Sequence, residues 1–283
     1  MAAFPTLEIT TMIGCPLMCT FCPQDNLRTQ YGTDVKYMSL DTFRSALDNI
    51  PQNTRIDFSG MAEPWVNPEC TDMLALAFER GHRVAIYSTL YNWDRATTDR
   101  IADLMVEHSD KLDVFMVHYP DEHGNMRGWK YNQDWEYALH VMKGICAHIG
   151  IPCDGITMSG NGKVHPSLDH LGIRLWNWTG HDRAGTLPTD QVKSQKINIA
   201  PSHSVPIRCG KTAKYDQWVL LPNGDVVLCC MDYDLKHVLG NLTKQTVADI
   251  RRGEAFQSIL KENARSEFSN CSLCRTCTDA VPQ

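Results

Sequence analysis

The sequence lacks the features that would place the protein in a membrane or on a nucleic acid. No stretch reaches the ~20 apolar residues that are needed to span a bilayer. Residues 1–11 have neither the basic start nor the apolar segment of a signal peptide. No run of Lys or Arg is present, and the formal net charge of -6 disfavours general nucleic-acid binding. We therefore expect a cytoplasmic protein with no membrane partner and no nucleic-acid partner.

Cysteine is the residue type in which the sequence is unusually rich. The chain has 283 residues, of which 43% are hydrophobic and 21% are charged, as in an ordinary globular protein of one barrel-like domain and a small appendage. It also has twelve cysteines. Without a secretion signal, these do not indicate a disulfide framework. Because most of them are grouped, metal binding is the better interpretation.

Strand-like and helix-like segments alternate over the first two-thirds of the chain. The predicted strands are Leu7–Ile13, Arg55–Ser59, Val84–Ser88, Leu112–His118, Ile151–Met158 and Ile173–Trp178. This alternation predicts a parallel sheet with right-handed crossovers. The expected fold class is therefore α/β, with a partial (βα)6 barrel of the TIM type. In such folds the chemistry lies at the C-terminal ends of the strands.

Capping residues predict where the intervening helices begin. Ser39, Asn67 and Asp94 each precede a segment with helical hydrophobic spacing, and their side chains can accept hydrogen bonds from the first turn. A further helix is predicted over Trp135–Ile149.

The pattern changes after Arg183. Residues 186–206 contain three prolines and are predicted to form a linker. Trp218–Leu221 and Val226–Leu228 flank an Asn-Gly pair, which predicts a β-hairpin. A helix is expected over Val247–Lys261. The predicted domains are a barrel at 1–185, the linker at 186–206, and a small domain of a hairpin and a helix at 207–283.

The first cysteine group lies directly after the first predicted strand. Cys15, Cys19 and Cys22 are spaced so that three thiolates on one loop can hold three irons of a four-iron cluster. The fourth iron then keeps an open position, to which a cosubstrate can bind. A structural zinc loop is the alternative, but zinc favours paired Cys-x-x-Cys units with a fourth ligand nearby, and none follows for more than forty residues.

This spacing resembles the signature of the radical S-adenosylmethionine (SAM) family. The resemblance implies a [4Fe–4S] cluster whose open iron binds the amino and carboxylate groups of SAM, with Phe21 near the adenine. Residues 59–64 resemble the Gly-Gly-Glu-Pro element of the family, with one residue inserted. Gly60 and Met61 would then lie along the methionine part of SAM, and Glu63 would accept hydrogen bonds from its ammonium group. Taken alone, the segment could be an ordinary turn between a strand and a helix.

Polar residues at two later strand ends are further candidates for cofactor binding. The family resemblance implies that Ser88 and Thr89 bind the ribose hydroxyls of SAM. His118 stands where relatives often have Ser, which leaves a ribose role there open. The alternative for these side chains is a local bond to the backbone.

The later cysteines resemble the auxiliary-cluster domain of radical SAM enzymes, the SPASM domain or its shorter twitch version. The resemblance implies one auxiliary [4Fe–4S] cluster, with the expected ligands Cys209, Cys229, Cys271 and Cys274. Cys277 is spare or replaces Cys274. Cys230 is expected to be a bystander, because neighbouring residues on a strand point to opposite faces. A structural zinc knuckle is the alternative.

The family chemistry implies how such a protein works. An external one-electron donor such as flavodoxin or ferredoxin reduces the first cluster, SAM is cleaved to a 5′-deoxyadenosyl radical, and this radical abstracts hydrogen from the substrate. The outcome is oxidation, that is dehydrogenation, or epimerisation. Arg183 is a candidate for orienting a polar substrate, or it forms a local salt bridge. Cys153, Cys230 and Cys277 are candidate donors of the hydrogen atom that an epimerase returns, and each could instead be a buried small apolar residue.

The expected substrate is a small polar molecule, similar to a sugar or an aminocyclitol. This expectation comes from the short segment before the first strand, which has no room for a domain that binds a peptide leader. A peptide maturase is the first alternative. A non-catalytic iron–sulfur or zinc scaffold is the second, although a scaffold has no need of the element at residues 60–63.

Overall fold

The computed structural model describes residues 5–153, 155–157, 162–176, 180–187, 197–198, 203–212, 214–265 and 273–283. The strands are β1 (Thr6–Ile9), β2 (Arg55–Phe58), β3 (Val84–Ser88), β4 (Leu112–Tyr119), β5 (Gly155–Thr157), β6 (Gly180–His181), β7 (Ile197–Asn198), β8 (Ile207–Cys209), β9 (Gln217–Leu220), β10 (Asp225–Val227), β11 (Val238–Asn241) and β12 (Ala280–Pro282). The helices are α1 (Gln24–Gln30), α2 (Leu40–Leu47), α3 (Cys70–Glu79), α4 (Arg95–Glu107), α5 (Gln133–Ile149), α6 (Val247–Arg252) and α7 (Glu254–Asn263). Within these ranges, no helix is long and apolar enough to cross a membrane.

One sheet of eight strands joins the two parts of the chain, in the order β11-β10-β9-β1-β2-β3-β4-β5. Neighbours from β1 to β5 are parallel, as the alternation of strands and helices predicts. The predicted C-terminal hairpin is also present, formed by the antiparallel pair β9 and β10. Strand β9 pairs in parallel with β1, so that the hairpin extends the barrel sheet. The α/β fold class is thus confirmed.

Two of the three predicted helix caps are confirmed and one is wrong. Ser39 accepts a hydrogen bond from the backbone N–H of Thr42, and Asp94 accepts one from Thr97. Helix α3, however, begins only at Cys70. Asn67 is buried before it and donates to the carbonyl oxygens of Thr11 and Met38, at 2.9 and 2.8 Å. Its side chain therefore ties the segment after β1 to the rest of the barrel.

The later predicted elements are shorter or divided. The sixth predicted strand contributes one parallel bridge, between Leu175 and Gly155, and its end at Trp178 lies outside the described residues. The predicted linker includes β7, while most of its other residues lie outside the described part. The predicted C-terminal helix is two helices, because the chain turns at Gly253 with an extended ψ of 150°. Glycine tolerates such breaks because it has no side chain.

The core lies between the sheet and its covering helices. Phe43, Phe58, Phe78 and Phe115 are completely or almost completely buried there. Parallel strands covered on both faces need this continuous apolar packing. It fixes the strands in register, so that the segments that follow β1, β2, β3 and β4 meet at one edge of the sheet. That edge carries the first cysteine loop.

Candidate active site

The three cysteines of the first motif line one open pocket of about 620 Å³ at the C-terminal edge of the sheet. Gly60, Met61 and Glu63, which follow β2, line the same pocket. The pocket is also lined by Phe21, Thr89, His118 and Arg183. The fold therefore brings together most of the cofactor-binding residues that the sequence predicts.

The loop between β4 and α5 holds the cysteine loop in place. The backbone N–H of Gly128 donates to Leu17 O at 2.7 Å, and that of Thr20 donates to Asn125 O at 2.9 Å. A side chain at Gly128 would not fit, because a Cβ there would lie 2.0 Å from Pro16 O. The two loops are thus packed backbone against backbone, directly beside the thiols.

Glu63 is a buried carboxylate with three oriented donors. It accepts hydrogen bonds from Ser88 Oγ at 2.7 Å, from Thr89 Oγ1 at 2.7 Å and from the Thr89 backbone N–H at 2.8 Å. Burial raises the pKa of Glu63, and these bonds oppose the rise. A cationic ligand would favour the ionised form further. In the structure, the hydroxyls of Ser88 and Thr89 orient Glu63, and their contact with ribose stays a prediction.

Gly60 and Met61 form the close backbone approach beside Glu63. Gly60 has a φ of +57°, and a Cβ there would lie 2.5 Å from Thr10 Oγ1. The Met61 N–H donates to that same Thr10 oxygen at 3.0 Å, and Gln24 donates to Met61 O at 2.5 Å. This region therefore presents backbone instead of side chains to the pocket.

Arg183 lies between the first cysteine loop and the C-terminal domain. Its guanidinium group is 5.6 Å from the centre of the Tyr233 ring, and its Nε is 3.5 Å from Phe21 O. Arg183 and Ala184 both have a positive φ, at 53° and 56°, which is uncommon for residues other than glycine. Burial, with the charge of Arg183, lowers the pKa of His118 to about 4, so its ring is neutral at pH 7.

A second pocket, of about 570 Å³, collects the thiols of the C-terminal domain. The cysteines that line it are Cys209, Cys229, Cys230, Cys274 and Cys277. Cys271 lies outside the described residues. Strand β10 ends at Val227, before the Cys229–Cys230 pair. Both residues line the pocket, but Cys229 packs against the cluster of Met231 and Leu273, whereas Cys230 packs against the cluster that contains Tyr233.

Both thiol pockets fit an iron–sulfur cluster. Burial raises the pKa of Cys15 and Cys230 to about 12, and that of Cys277 to about 11. Such thiols ionise readily only when a metal supplies compensating positive charge. Among the described residues, no three His, Cys, Asp or Glu side chains are grouped to hold a single metal ion. The thiolates of a cluster bind separate irons and need not meet at one ion.

Hydrogen bonds fix the last cysteine segment to the rest of its domain. The backbone N–H of Leu273 donates to His237 Nε2 at 3.2 Å. Thr276 Oγ1 donates to Ala184 O at 2.6 Å. The segment that carries Cys274 and Cys277 is thus joined to the turn that presents Arg183.

The structure does not bring Cys153 to either thiol pocket. Cys153 packs beside Cys146 of α5. A hydrogen bond to Cys153 raises the pKa of Cys146, and burial of Cys146 raises it further. Gln24, Tyr233 and Gly128 do contact the first cysteine loop, and the motifs did not indicate them. Of these three residues, only Gln24 could have been predicted from the sequence, because it lies two residues after Cys22.

These observations define a partial α/β barrel with a cysteine loop at its C-terminal edge and a second thiol pocket in a small C-terminal domain. Residues 209–278 match the family described as SPASM, an iron–sulfur cluster-binding domain. This match favours a cluster over the zinc knuckle in that part of the chain. No curated protein matches the chain.

Solved structures share the fold over nearly the whole chain. BtrN in complex with AdoMet and 2-DOIA is 16% identical, with 98% of this chain and 93% of that chain covered and a TM-score of 0.60. Native anSMEcpe with bound AdoMet is 13% identical, with 96% and 86% covered and a TM-score of 0.55. Streptococcus suis SuiB bound to precursor peptide SuiA is 13% identical, with 98% and 70% covered and a TM-score of 0.58. These structures confirm the predicted fold of the whole chain, an α/β barrel followed by a small C-terminal domain, and the family match confirms the predicted SPASM-type domain at residues 209–278.

Proposed function

We propose that this protein is a radical SAM enzyme that oxidises or epimerises a small polar substrate, similar to a sugar or an aminocyclitol. One observation carries the proposal. The oriented carboxylate of Glu63 and the thiols of Cys15, Cys19 and Cys22 line the same pocket. A protein that only stored a cluster would have no need of a buried carboxylate aimed at a cosubstrate.

The residues of the first pocket have distinct roles in this proposal. Cys15, Cys19 and Cys22 hold three irons of a [4Fe–4S] cluster, Glu63 accepts the ammonium group of SAM, and Gly60 admits its methionine part. When bound and reduced by an external donor such as flavodoxin or ferredoxin, the cluster and SAM supply the radical that abstracts hydrogen. The surrounding protein orients SAM and excludes water.

Arg183 is the residue that we assign to substrate orientation. It lines the first pocket and stacks on Tyr233 of the C-terminal domain, so it lies on the side of the pocket that faces the second group of thiols. A planar guanidinium group offers five donors to hydroxyl or anionic groups of a substrate. Its left-handed backbone fits a functional constraint, since such strain persists where the surroundings enforce it.

Oxidation and epimerisation make different demands on the C-terminal domain. Oxidation removes two hydrogens and needs an electron acceptor, whereas epimerisation needs a thiol that returns one hydrogen atom to the opposite face. The ligands that we propose for the auxiliary cluster come from Cys209, Cys229, Cys271, Cys274 and Cys277. Full cysteine ligation supports oxidation as the first choice. Cys230 is the strongest candidate for a donor thiol, because it lines this pocket and is not among the proposed ligands.

The test is anaerobic turnover of SAM by the reconstituted protein with candidate substrates. We expect 5′-deoxyadenosine together with a substrate that has lost two mass units, or one that keeps its mass but takes up deuterium from solvent. A precursor peptide is the competing substrate class, because SuiB of similar fold is bound to one. Modification of a peptide, with none of any small polar molecule, would overturn the substrate proposal.

Single cysteine variants separate the two outcomes. In an oxidase, Cys230→Ala keeps the oxidised product so long as both clusters are loaded. In an epimerase, it still cleaves SAM but gives an aberrant or quenched product. Cys153→Ala is the matched control, because that thiol packs beside Cys146 and lines neither pocket. A product change in Cys153→Ala alone would contradict the assignment of Cys230.

A further inference from the structure

A buried tyrosine of the C-terminal domain contacts a thiol of the first cysteine loop. The Tyr233 hydroxyl lies 3.2 Å from Cys22 Sγ, although the two residues are 211 positions apart in the chain. Tyr233 is only 2% exposed, so water does not compete strongly for the contact. The two thiol sites are thus connected by a hydrogen bond between domains.

We propose that Tyr233 is a positioning residue that raises the reduction potential of the first cluster through its hydrogen bond to Cys22. The proposal rests on the proposed function, because it requires Cys22 to bind iron. A thiolate bound to iron carries no proton, so the hydroxyl must be the donor. Reduction adds negative charge to the cluster and its thiolates. A donor to the sulfur therefore stabilises the reduced form more than the oxidised form.

A second donor lies within hydrogen-bonding distance of the Cys22 sulfur. Gln24 Nε2 lies 3.3 Å from Cys22 Sγ and also donates to Met61 O. Gln24 belongs to the barrel, whereas Tyr233 belongs to the C-terminal domain. The barrel thus supplies one donor locally, and the other depends on correct docking of the C-terminal domain.

A tight turn after Cys229 places Tyr233. The backbone N–H of Asp232 donates to Cys229 O at 3.1 Å, and that of Tyr233 donates to Met231 O at 3.0 Å. Since Cys229 lines the second thiol pocket, the hydroxyl reaches Cys22 only when this segment is in place. The C-terminal domain thereby tunes the cluster that faces SAM.

Tyr233→Phe removes only the hydroxyl and keeps the ring on which Arg183 stacks. The measurement is an anaerobic redox titration of the reconstituted protein, followed by electron paramagnetic resonance. The signal of the first cluster is identified by its change when SAM is added. A triple variant of Cys15, Cys19 and Cys22 to Ala gives the titration curve of the auxiliary cluster alone. Tyr31→Phe is the matched control, because Tyr31 lies in the same apolar cluster but donates to Val35 O.

We expect the ratio of reduced to oxidised first cluster in Tyr233→Phe to fall about tenfold at a fixed potential, the size of effect expected for a hydrogen bond to a charged group. That change corresponds to a potential about 59 mV more negative for a one-electron couple. Iron content and the auxiliary potential should match those of the wild type. Tyr31→Phe should titrate as the wild type does.

Three results would overturn the inference. One is an unchanged first-cluster potential in a fully loaded Tyr233→Phe protein whose signal still responds to SAM. Another is an equal shift in Tyr31→Phe, which would show a general effect of packing. The third is loss of iron from Tyr233→Phe, which would make the hydroxyl necessary for cluster binding instead of tuning. Failure of the proposed function is distinguishable, since the wild type itself would then show no signal that responds to SAM.

Discussion

At the scale of single residues, Glu63 shows how the fold orients an isolated carboxylate. The sequence indicates a carboxylate at a strand end, and the fold surrounds it with donors from the next strand end. Those donors hold both carboxylate oxygens in fixed directions before any ligand arrives. Such preorganisation lowers the ordering cost of binding.

Glu63→Gln should weaken SAM binding by about 1–3 kcal/mol, the range for hydrogen bonds to charged groups. The amide removes the negative charge that we propose to face the ammonium group of SAM, but it keeps the size of the side chain. Equilibrium binding of SAM to the reconstituted protein is the measurement, and the optical spectrum of the cluster should not change. Glu79→Gln, on the exposed end of α3, is the control. Equal SAM affinities for wild type and Glu63→Gln would exclude this role.

Gly60→Ala should destabilise the protein and weaken SAM binding. The left-handed backbone alone costs about 1–2 kcal/mol for a residue with a side chain. The new methyl group would also lie 2.5 Å from Thr10 Oγ1 and 2.6 Å from Ile9 O. Thermal unfolding and SAM affinity are the measurements. Gly124→Ala is the matched control, because its φ is +66° but nothing lies within 4 Å. If Gly60→Ala and Gly124→Ala change the unfolding temperature and the SAM affinity equally, the close contacts around Gly60 have no role.

At the scale of elements, the loop after β4 is as important for the site as the cysteine loop that it supports. Its hydrogen bonds to Leu17 and Thr20 give the cysteine loop the backbone partners that a helix or strand would otherwise provide. We therefore attribute the geometry of the first thiol group to two loops, of which only one carries the motif.

Gly128→Ala should abolish loading of the first cluster and leave the auxiliary cluster in place. A Cβ at 2.0 Å from Pro16 O must displace the cysteine loop. We expect iron to fall from about eight to about four per chain, as for the loss of one four-iron cluster. Gly144→Ala within α5 is the control. Nothing lies within 4 Å of a Cβ at this position, so the Gly144→Ala protein should be more stable than the wild type by about 0.5–1 kcal/mol. Full iron content in Gly128→Ala would contradict the supporting role of this loop.

At the scale of the whole molecule, the sheet unites the two thiol sites. Strand β9 pairs with β1 along all four β1 residues, from Thr6–Gln217 to Ile9–Leu220. The first cysteine loop follows β1, and Cys229 and Cys230 follow the hairpin that β9 begins. Because β10 runs antiparallel to β9, the Cys229–Cys230 pair follows at the edge of the sheet where β1 and β9 begin, whereas the first cysteine loop follows the opposite end of β1. The pairing of β9 with β1 thus fixes the two cysteine groups relative to each other through one sheet.

Anaerobic reconstitution should load about eight irons and about eight sulfides per chain, as expected for two four-iron clusters with cysteine ligands. Cys209→Ala should reduce the content to about four of each and keep the signal that responds to SAM. Metal and sulfide analyses are the measurements, and Cys70→Ala, which changes a buried thiol of the core, is the control. A protein that binds zinc without sulfide would contradict the assignment of clusters.

The sequence by itself determined the class of fold, the two cysteine groups and most of the residues around the first thiol pocket. Each of these depends on spacing along the chain: apolar periodicity, short cysteine intervals, and a glycine before a carboxylate at a strand end. The hairpin at residues 217–227 could also be predicted from local sequence, because an Asn-Gly pair specifies its own turn.

Only the tertiary structure decided which distant groups meet. The pairing of β9 with β1, the contact of Tyr233 with Cys22, and the packing of Gly128 against Pro16 join residues that are far apart in sequence. The wrong cap at Asn67 has the same cause: its amide nitrogen donates to Thr11 O and Met38 O, while its side-chain oxygen accepts from the N–H of Glu69, which is itself the residue that precedes the helix. Such contacts depend on burial and on the arrangement of the whole sheet, and no local pattern encodes them.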